Sequence, residues 1–114
     1  MLITKKFSFD AAHKLKKYRG KCKNLHGHTY VLYVTIEGKI KKKSGMVIDF
    51  DKISQIVKKE IIDVLDHNYI NRKLKQPTAE NISVWIWNKL IKYFKIYKIE
   101  LRETPDSYVT YYGK

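Results

Sequence analysis

The stretch "HGHTYVLYVTIE", His26 to Glu37, decides the fold. From Tyr30 to Glu37 its apolar residues Leu32, Val34 and Ile36 recur with period two, the pattern of a half-buried β-strand. Followed backwards, the same parity passes through Tyr30 to His28 and His26. A strand that begins this early projects both imidazoles from one face, about 7 Å apart along the chain. Side chains at i and i+2 can then converge on one ion. Cys22 stands four residues before His26, so three metal-capable groups gather at the mouth of one strand.

The rest of the chain falls into place around that strand. Leu2–Phe9 is β-prone and runs into "FDAAH", which ends at His13. "EGKIKKKSG" is a polar turn with glycine near both ends. "DFDKISQIVKKEIIDVLDH", residues 49–67, is the clearest helix. Asp51 is its candidate N-cap, and Ile53, Ile56, Val57, Ile61, Val64 and Leu65 form its apolar stripe. "NRKLKQPT" interrupts. Thr78 then caps a second helix, "AENISVWIWNKLIKYF", whose buried face is Ile82, Trp85, Ile86 and Leu90. Strands follow near Ile96–Glu103 and Ser107–Tyr112. The order β-β-α-α-β-β predicts an α+β fold: one four-stranded antiparallel sheet with both helices on one face.

With 114 residues and 13.6 kDa the chain is expected to form a single domain over residues 1–114. So small a core would be supplemented by packing against copies of itself. A hydrophobic fraction of 44% excludes a disordered chain. No apolar run approaches a membrane span, and "MLITKKFSFD" has no signal-peptide pattern. These features predict a cytoplasmic protein without a membrane partner. One cysteine forms no internal disulfide. The net charge of +13 fits an anionic partner, whether nucleic acid, acidic lipid or a phosphorylated small molecule, or else a generally lysine-rich surface. There is no Arg-rich helix, paired C-x-x-C spacing or RNA-binding motif to favour nucleic acid.

Several side chains could carry chemistry. An antiparallel neighbour can bring His13 beside His26 and His28, and three neutral imidazoles with an open fourth position make a catalytic zinc site. Cys22 has three roles open to it: a small buried hydrophobe, a fourth zinc ligand, or a thiol of lowered pKa acting as a base. Its neighbours Lys21 and Lys23 argue against deep burial. His67, after Asp66 in "LDHNYIN", is either a dipole-favoured imidazole at a helix end or an Asp-oriented proton shuttle. Glu103 continues the face of Ile99 and Leu101, so its carboxylate either frays with the strand near Pro105 or meets a partner. A ligand with an amide–amine edge, such as a guanine-like ring, would be one. Glu80 lies in the second helix's first turn, where an acid suits the dipole.

"FDAAH", "CKNLHGH", "GMVIDF", "LDHNYIN", "PTAENI" and "LRETP" occur in that order along nearly the whole chain. Together they resemble the 6-pyruvoyl-tetrahydropterin synthase family. The resemblance implies the tunnelling fold, a trimeric barrel of ββααββ subunits whose trimers commonly stack, with active sites between subunits. It implies zinc on His13, His26 and His28, Cys22 as catalytic base, and Asp66 with His67 as proton relay. Glu103 would anchor the pterin ring, and Thr78 and Glu80 would lie near the pterin pocket. Lysines would favour the substrate's triphosphate.

One branch of that family eliminates triphosphate to give 6-pyruvoyl-tetrahydropterin. The other cleaves the side chain of 7,8-dihydroneopterin triphosphate, giving 6-carboxy-5,6,7,8-tetrahydropterin, acetaldehyde and triphosphate on the route to 7-deazapurine tRNA nucleosides. The compact C-x-x-x-H-G-H spacing resembles the carboxy branch, so the expected protein is a zinc-dependent carbon–carbon lyase. A glutamate-bearing folate branch fits less well, because no Glu lies between Cys22 and His26. The rivals are a basic nucleic-acid-binding module and a purely structural zinc domain. The nucleic-acid module offers no reason for Cys22, the histidines and an inward Glu103 to coexist; a structural zinc predicts that C22A releases the metal.

Overall fold

The computed structural model describes residues 1–15 and 25–114, with His26 by its backbone only. β1 (Leu2–His13) and β2 (His26–Glu37) form an antiparallel pair in unbroken register, from Leu2 opposite Glu37 to His13 opposite His26. β3 (Ile96–Thr104) adds to β2, and β4 (Ser107–Tyr111) adds to β3. The sheet order is β1-β2-β3-β4, all antiparallel. Both helices cover one face, as the β-β-α-α-β-β order predicts. The buried face holds Phe9, Leu32, Val34, Ile36, Ile99 and Leu101 from the sheet, against Ile53, Ile61, Ile82 and Ile86 from the helices.

β1 does not stop at Phe9. Its alternation carries on through buried Ala11 and His13, because β2 supplies backbone partners along its whole length. β2 likewise begins at His26.

The first helix is capped two residues earlier than expected. Asp49, not Asp51, is the N-cap of α1 (Phe50–Val57): its backbone is extended (φ −66°, ψ 129°) and its Oδ1 accepts from Asp51 N–H at 2.8 Å. Asp51 sits inside the first turn, where its charge faces the dipole. α1 then passes into a π-helical turn, Lys58–Ile62, and a short closing α segment, α2 (Asp63–Leu65). The reason lies in the spacing of the buried residues Ile53, Val57, Ile61 and Leu65. Steps of four drift by about 40° each in a 3.6-residue helix. A wider turn takes back part of that drift and keeps all four on the sheet. Ile56 and Val64 are only partly buried on the flank.

Thr78 caps α3 (Ala79–Leu90) as expected, its Oγ1 accepting from Asn81 N–H at 3.1 Å. The helix ends at Leu90 rather than Phe94, although Phe94 still reaches the core. Ser83, not Trp85, completes its buried face. Ser83 Oγ donates to Ala79 O at 2.7 Å, which satisfies the hydroxyl locally, while the larger indole packs at the core's edge.

Candidate active site

The chemistry gathers where the β1–β2 pair ends. The register sets His13 opposite His26 and Ala11 opposite His28. Positions 13, 26 and 28 therefore share the parity of the apolar core face. His13 is fully buried, and His28 is half-buried with its ring centroid 5.1 Å from that of His13.

The His13 Nδ1 lies 2.7 Å from Pro77 O. A carbonyl only accepts, so Nδ1 carries the proton and the neutral ring has its lone pair on Nε2. An orienting carbonyl behind one ring nitrogen is the usual support of a metal-ligating histidine. Pro77 owes its position to the Thr78 cap that follows it. Tyr30, between the strand's apolar run and His28, also reaches the site: its hydroxyl is 3.3 Å from His13 Nδ1 and its ring lies edge-on to both imidazoles.

Glu103 reaches the same place. A register irregularity between Arg102 and Thr104 ends the regular pairing, and the carboxylate Oε1 lies 3.2 Å from His28 Nε2. Its inward parity thus ends in a partner rather than in a frayed strand end. His13, His28 and Glu103 each offer a ligand atom within 4.8 Å of the others. Imidazole nitrogen and carboxylate oxygen are donors that zinc takes, and the orienting carbonyl on His13 adds to the fit.

Across the hairpin end, Asp66 and His67 stand together. His67 adopts φ 57°, left-handed backbone that turns the chain sharply after α2. Its Nδ1 lies 3.1 Å from Asp66 Oδ2, so the neighbours do point at one another. Asp66 Oδ1 accepts from Asp10 N–H at 2.9 Å. That backbone donor, more than His67, holds the Asp66 carboxyl below its ordinary value. Asp10, Asp66 and His67 form a second cluster of donor atoms. Thr29 Oγ1 donates to Asp10 Oδ1, so both carboxylates of this group are engaged by protein hydrogen bonds.

An open groove of about 600 Å³ reaches both clusters, lined by Asp10, His28, Thr29, His67, Asn68 and Arg72 among others. Thr78 touches the site only through the Pro77 carbonyl before it. Glu80 is exposed in the first turn of α3 and, among the described residues, lines neither the cluster nor the groove. Cys22 lies outside the described residues, and His26 is known by register alone. Tyr30, Pro77, Asp10 and Thr29 escaped the sequence reading. Only Tyr30 left a signal, its shared parity with His28; the others join through contacts between distant segments.

The chain matches the family model for 6-pyruvoyl tetrahydropterin synthase over residues 2–114. It is 41% identical to a Haemophilus influenzae protein named 6-carboxy-5,6,7,8-tetrahydropterin synthase, covering 96% of each chain. It is 32% identical to a Dictyostelium discoideum protein named 6-pyruvoyl tetrahydrobiopterin synthase, covering 100% of this chain and 97% of the other. The solved structure of Caenorhabditis elegans 6-pyruvoyl tetrahydropterin synthase superposes with a TM-score of 0.90 at 30% identity, over 100% of this chain and 96% of that one. The ββααββ sheet, the histidines at its end and these likenesses agree: the chain belongs to the 6-pyruvoyl tetrahydropterin synthase family.

Proposed function

We propose that this chain is a zinc-dependent 6-carboxy-5,6,7,8-tetrahydropterin synthase, a single catalytic domain over residues 1–114. It converts 7,8-dihydroneopterin triphosphate to 6-carboxytetrahydropterin, acetaldehyde and triphosphate in the cytoplasm, on the route to 7-deazapurine nucleosides such as queuosine. The carrying observation is the fully buried His13, with Nδ1 against Pro77 O, beside His28 at the end of the β1–β2 pair. The compact C-x-x-x-H-G-H spacing and the 41% identity to a protein of that name support the carboxy branch.

His13, His26 and His28 hold the zinc, with Pro77 O fixing the tautomer of His13. Bound there, zinc supplies Lewis acidity toward the side-chain oxygens of the substrate. Cys22 is the base that takes a proton from the substrate side chain. His67 moves a proton on the far side of the groove, and Asp66, kept as a carboxylate by Asp10 N–H, holds its Nδ1–H and compensates the charge formed when the ring takes a second proton. Glu103 accepts from the amide and amine N–H groups of the pterin, with Thr78 and Glu80 near the pterin pocket of the assembled protein. The active form is a trimer or a hexamer with sites between subunits. Nucleic acid and membrane are not its partners.

Purified zinc-loaded protein incubated with 7,8-dihydroneopterin triphosphate releases acetaldehyde and 6-carboxytetrahydropterin. A pyruvoyl product instead assigns the alternative, triphosphate elimination by a 6-pyruvoyl-tetrahydropterin synthase, which the Dictyostelium relative's name supports. No turnover of this substrate overturns both.

A further inference from the structure

The substrate in the proposed reaction carries a triphosphate, yet the residues assigned so far bind the ring, the zinc or a proton. Among the described residues the groove is lined by one guanidinium, that of Arg72. We infer that Arg72 is the phosphate-tail clamp of this site, a specificity residue that recognises a polyphosphorylated side chain.

The backbone around Arg72 is built for placement. Residues 66–72 run alongside the end of β1 and are tied to it rung by rung. His67 N–H donates to Asp10 O, Ala12 N–H donates to Asn68 O at 3.1 Å, and Ala12 pairs in parallel with Tyr69. The Asn71 side chain closes the ladder, accepting from Lys14 N–H and donating to Lys14 O, both at 2.8 Å. A 3-10 turn, Ile70–Arg72, with Ile70 fully buried, then presents Arg72 at the groove. So the exposed guanidinium stands on an anchored turn rather than on a loose loop.

Its chemistry is also uncommitted. The chain has three arginines, and Arg19 lies outside the described residues. Arg102 is engaged: its Nε donates to Glu100 Oε2 at 2.7 Å, and it stacks on Tyr108. Among the described residues, no carboxylate lies within ion-pair distance of Arg72. A planar fork of donors without an acid partner matches phosphate oxygens two at a time. The Asp10 carboxylate, which also lines the groove, would repel phosphate oxygens and so favour a tail lying toward the 3-10 turn.

This inference rests on the pterin reading, and binding of unreactive ligands separates the two. Neopterin triphosphate and neopterin, fluorescent and fully oxidised, are titrated into the zinc-loaded wild type, R72A and R72K. Wild type binds the triphosphate more tightly than neopterin. R72A loses about tenfold or more of triphosphate affinity, as removal of a charge-assisted contact does, and keeps its affinity for neopterin and its melting temperature. R72K falls between the two. If R72A binds neopterin triphosphate as wild type does, or loses both ligands equally, Arg72 is not the clamp while the pterin reading stands. If wild type binds neither pterin, both fall.

Discussion

His13 is the residue on which the site turns. It is buried without exposure, and its proton is committed to Pro77 O. On the zinc reading H13A is expected to lose the metal, and it also leaves that carbonyl without its donor, a loss of about 1–3 kcal/mol that denaturant unfolding of the metal-free protein reads directly. Cys22 answers to a different measurement. C22A retains zinc by metal analysis and abolishes turnover if the thiol is the base; loss of zinc would make it a ligand. Glu103 poses the same kind of choice, because its carboxylate already lies 3.2 Å from His28 Nε2. E103Q is expected to keep zinc and lose pterin binding, and metal loss in that variant would move Glu103 into the ligand set. Asp66 carries a pH signature. Its carboxyl is held low in the folded chain, chiefly by Asp10 N–H. Its contribution to stability is therefore complete above the unfolded value of about 3.9 and disappears as pH falls through the lower folded one. D66N removes that part of the acid sensitivity, so its acid-unfolding curve is shallower than that of wild type between those two values.

At the scale of elements, caps and spacing govern. D49A costs about 1 kcal/mol through the lost N-cap, whereas D51A costs only a few tenths through the dipole. Urea titrations of the pair separate the true cap from its neighbour. T78A also costs about 1 kcal/mol, and its larger effect is local: the segment that holds Pro77 O against His13 loosens, so zinc dissociates faster from that variant. The π-helical turn reflects steps of four along the buried residues of the first helix. Counting an apolar stripe in windows of 3.6 identifies the helix and its core side. It does not reveal that a strict step of four needs a wider turn to stay on a flat sheet.

The whole molecule is elongated, 54 × 24 × 24 Å, with a radius of gyration of 15.0 Å, against about 13 Å for a compact globule of this length. β1 along Leu2–Phe9 and all of β4 are sheet edges, and among the described residues no strand pairs with them there. Open edges of this length ordinarily need cover. The 66–72 segment covers only the site end of β1; in the proposed trimer or hexamer a second copy would cover the remainder. Native mass measurement is expected to give three or six times 13.6 kDa, and a monomer that still turns over substrate would refute sites shared between subunits. No helix among the described residues is long and apolar enough to cross a membrane.

The sequence by itself determined the strands, the helices and their order, because period two and period 3.6 are local properties of the chain. It also determined that positions 26 and 28 share the core's parity if the strand begins that early, and that Glu103 continues the face of Ile99 and Leu101, while leaving open whether its carboxylate frays with the strand or meets a partner. Tertiary structure decided what those residues meet. The register of β1 on β2 set His13 opposite position 26, the segment capped by Thr78 brought Pro77 O to His13, and the ladder between residues 66–72 and β1 set His67 and Arg72 in the same groove as His28. These contacts join residues 13 to 64 positions apart. No local pattern encodes such pairings; they exist only once the apolar faces have been buried against each other and the backbone groups at their margins must find partners.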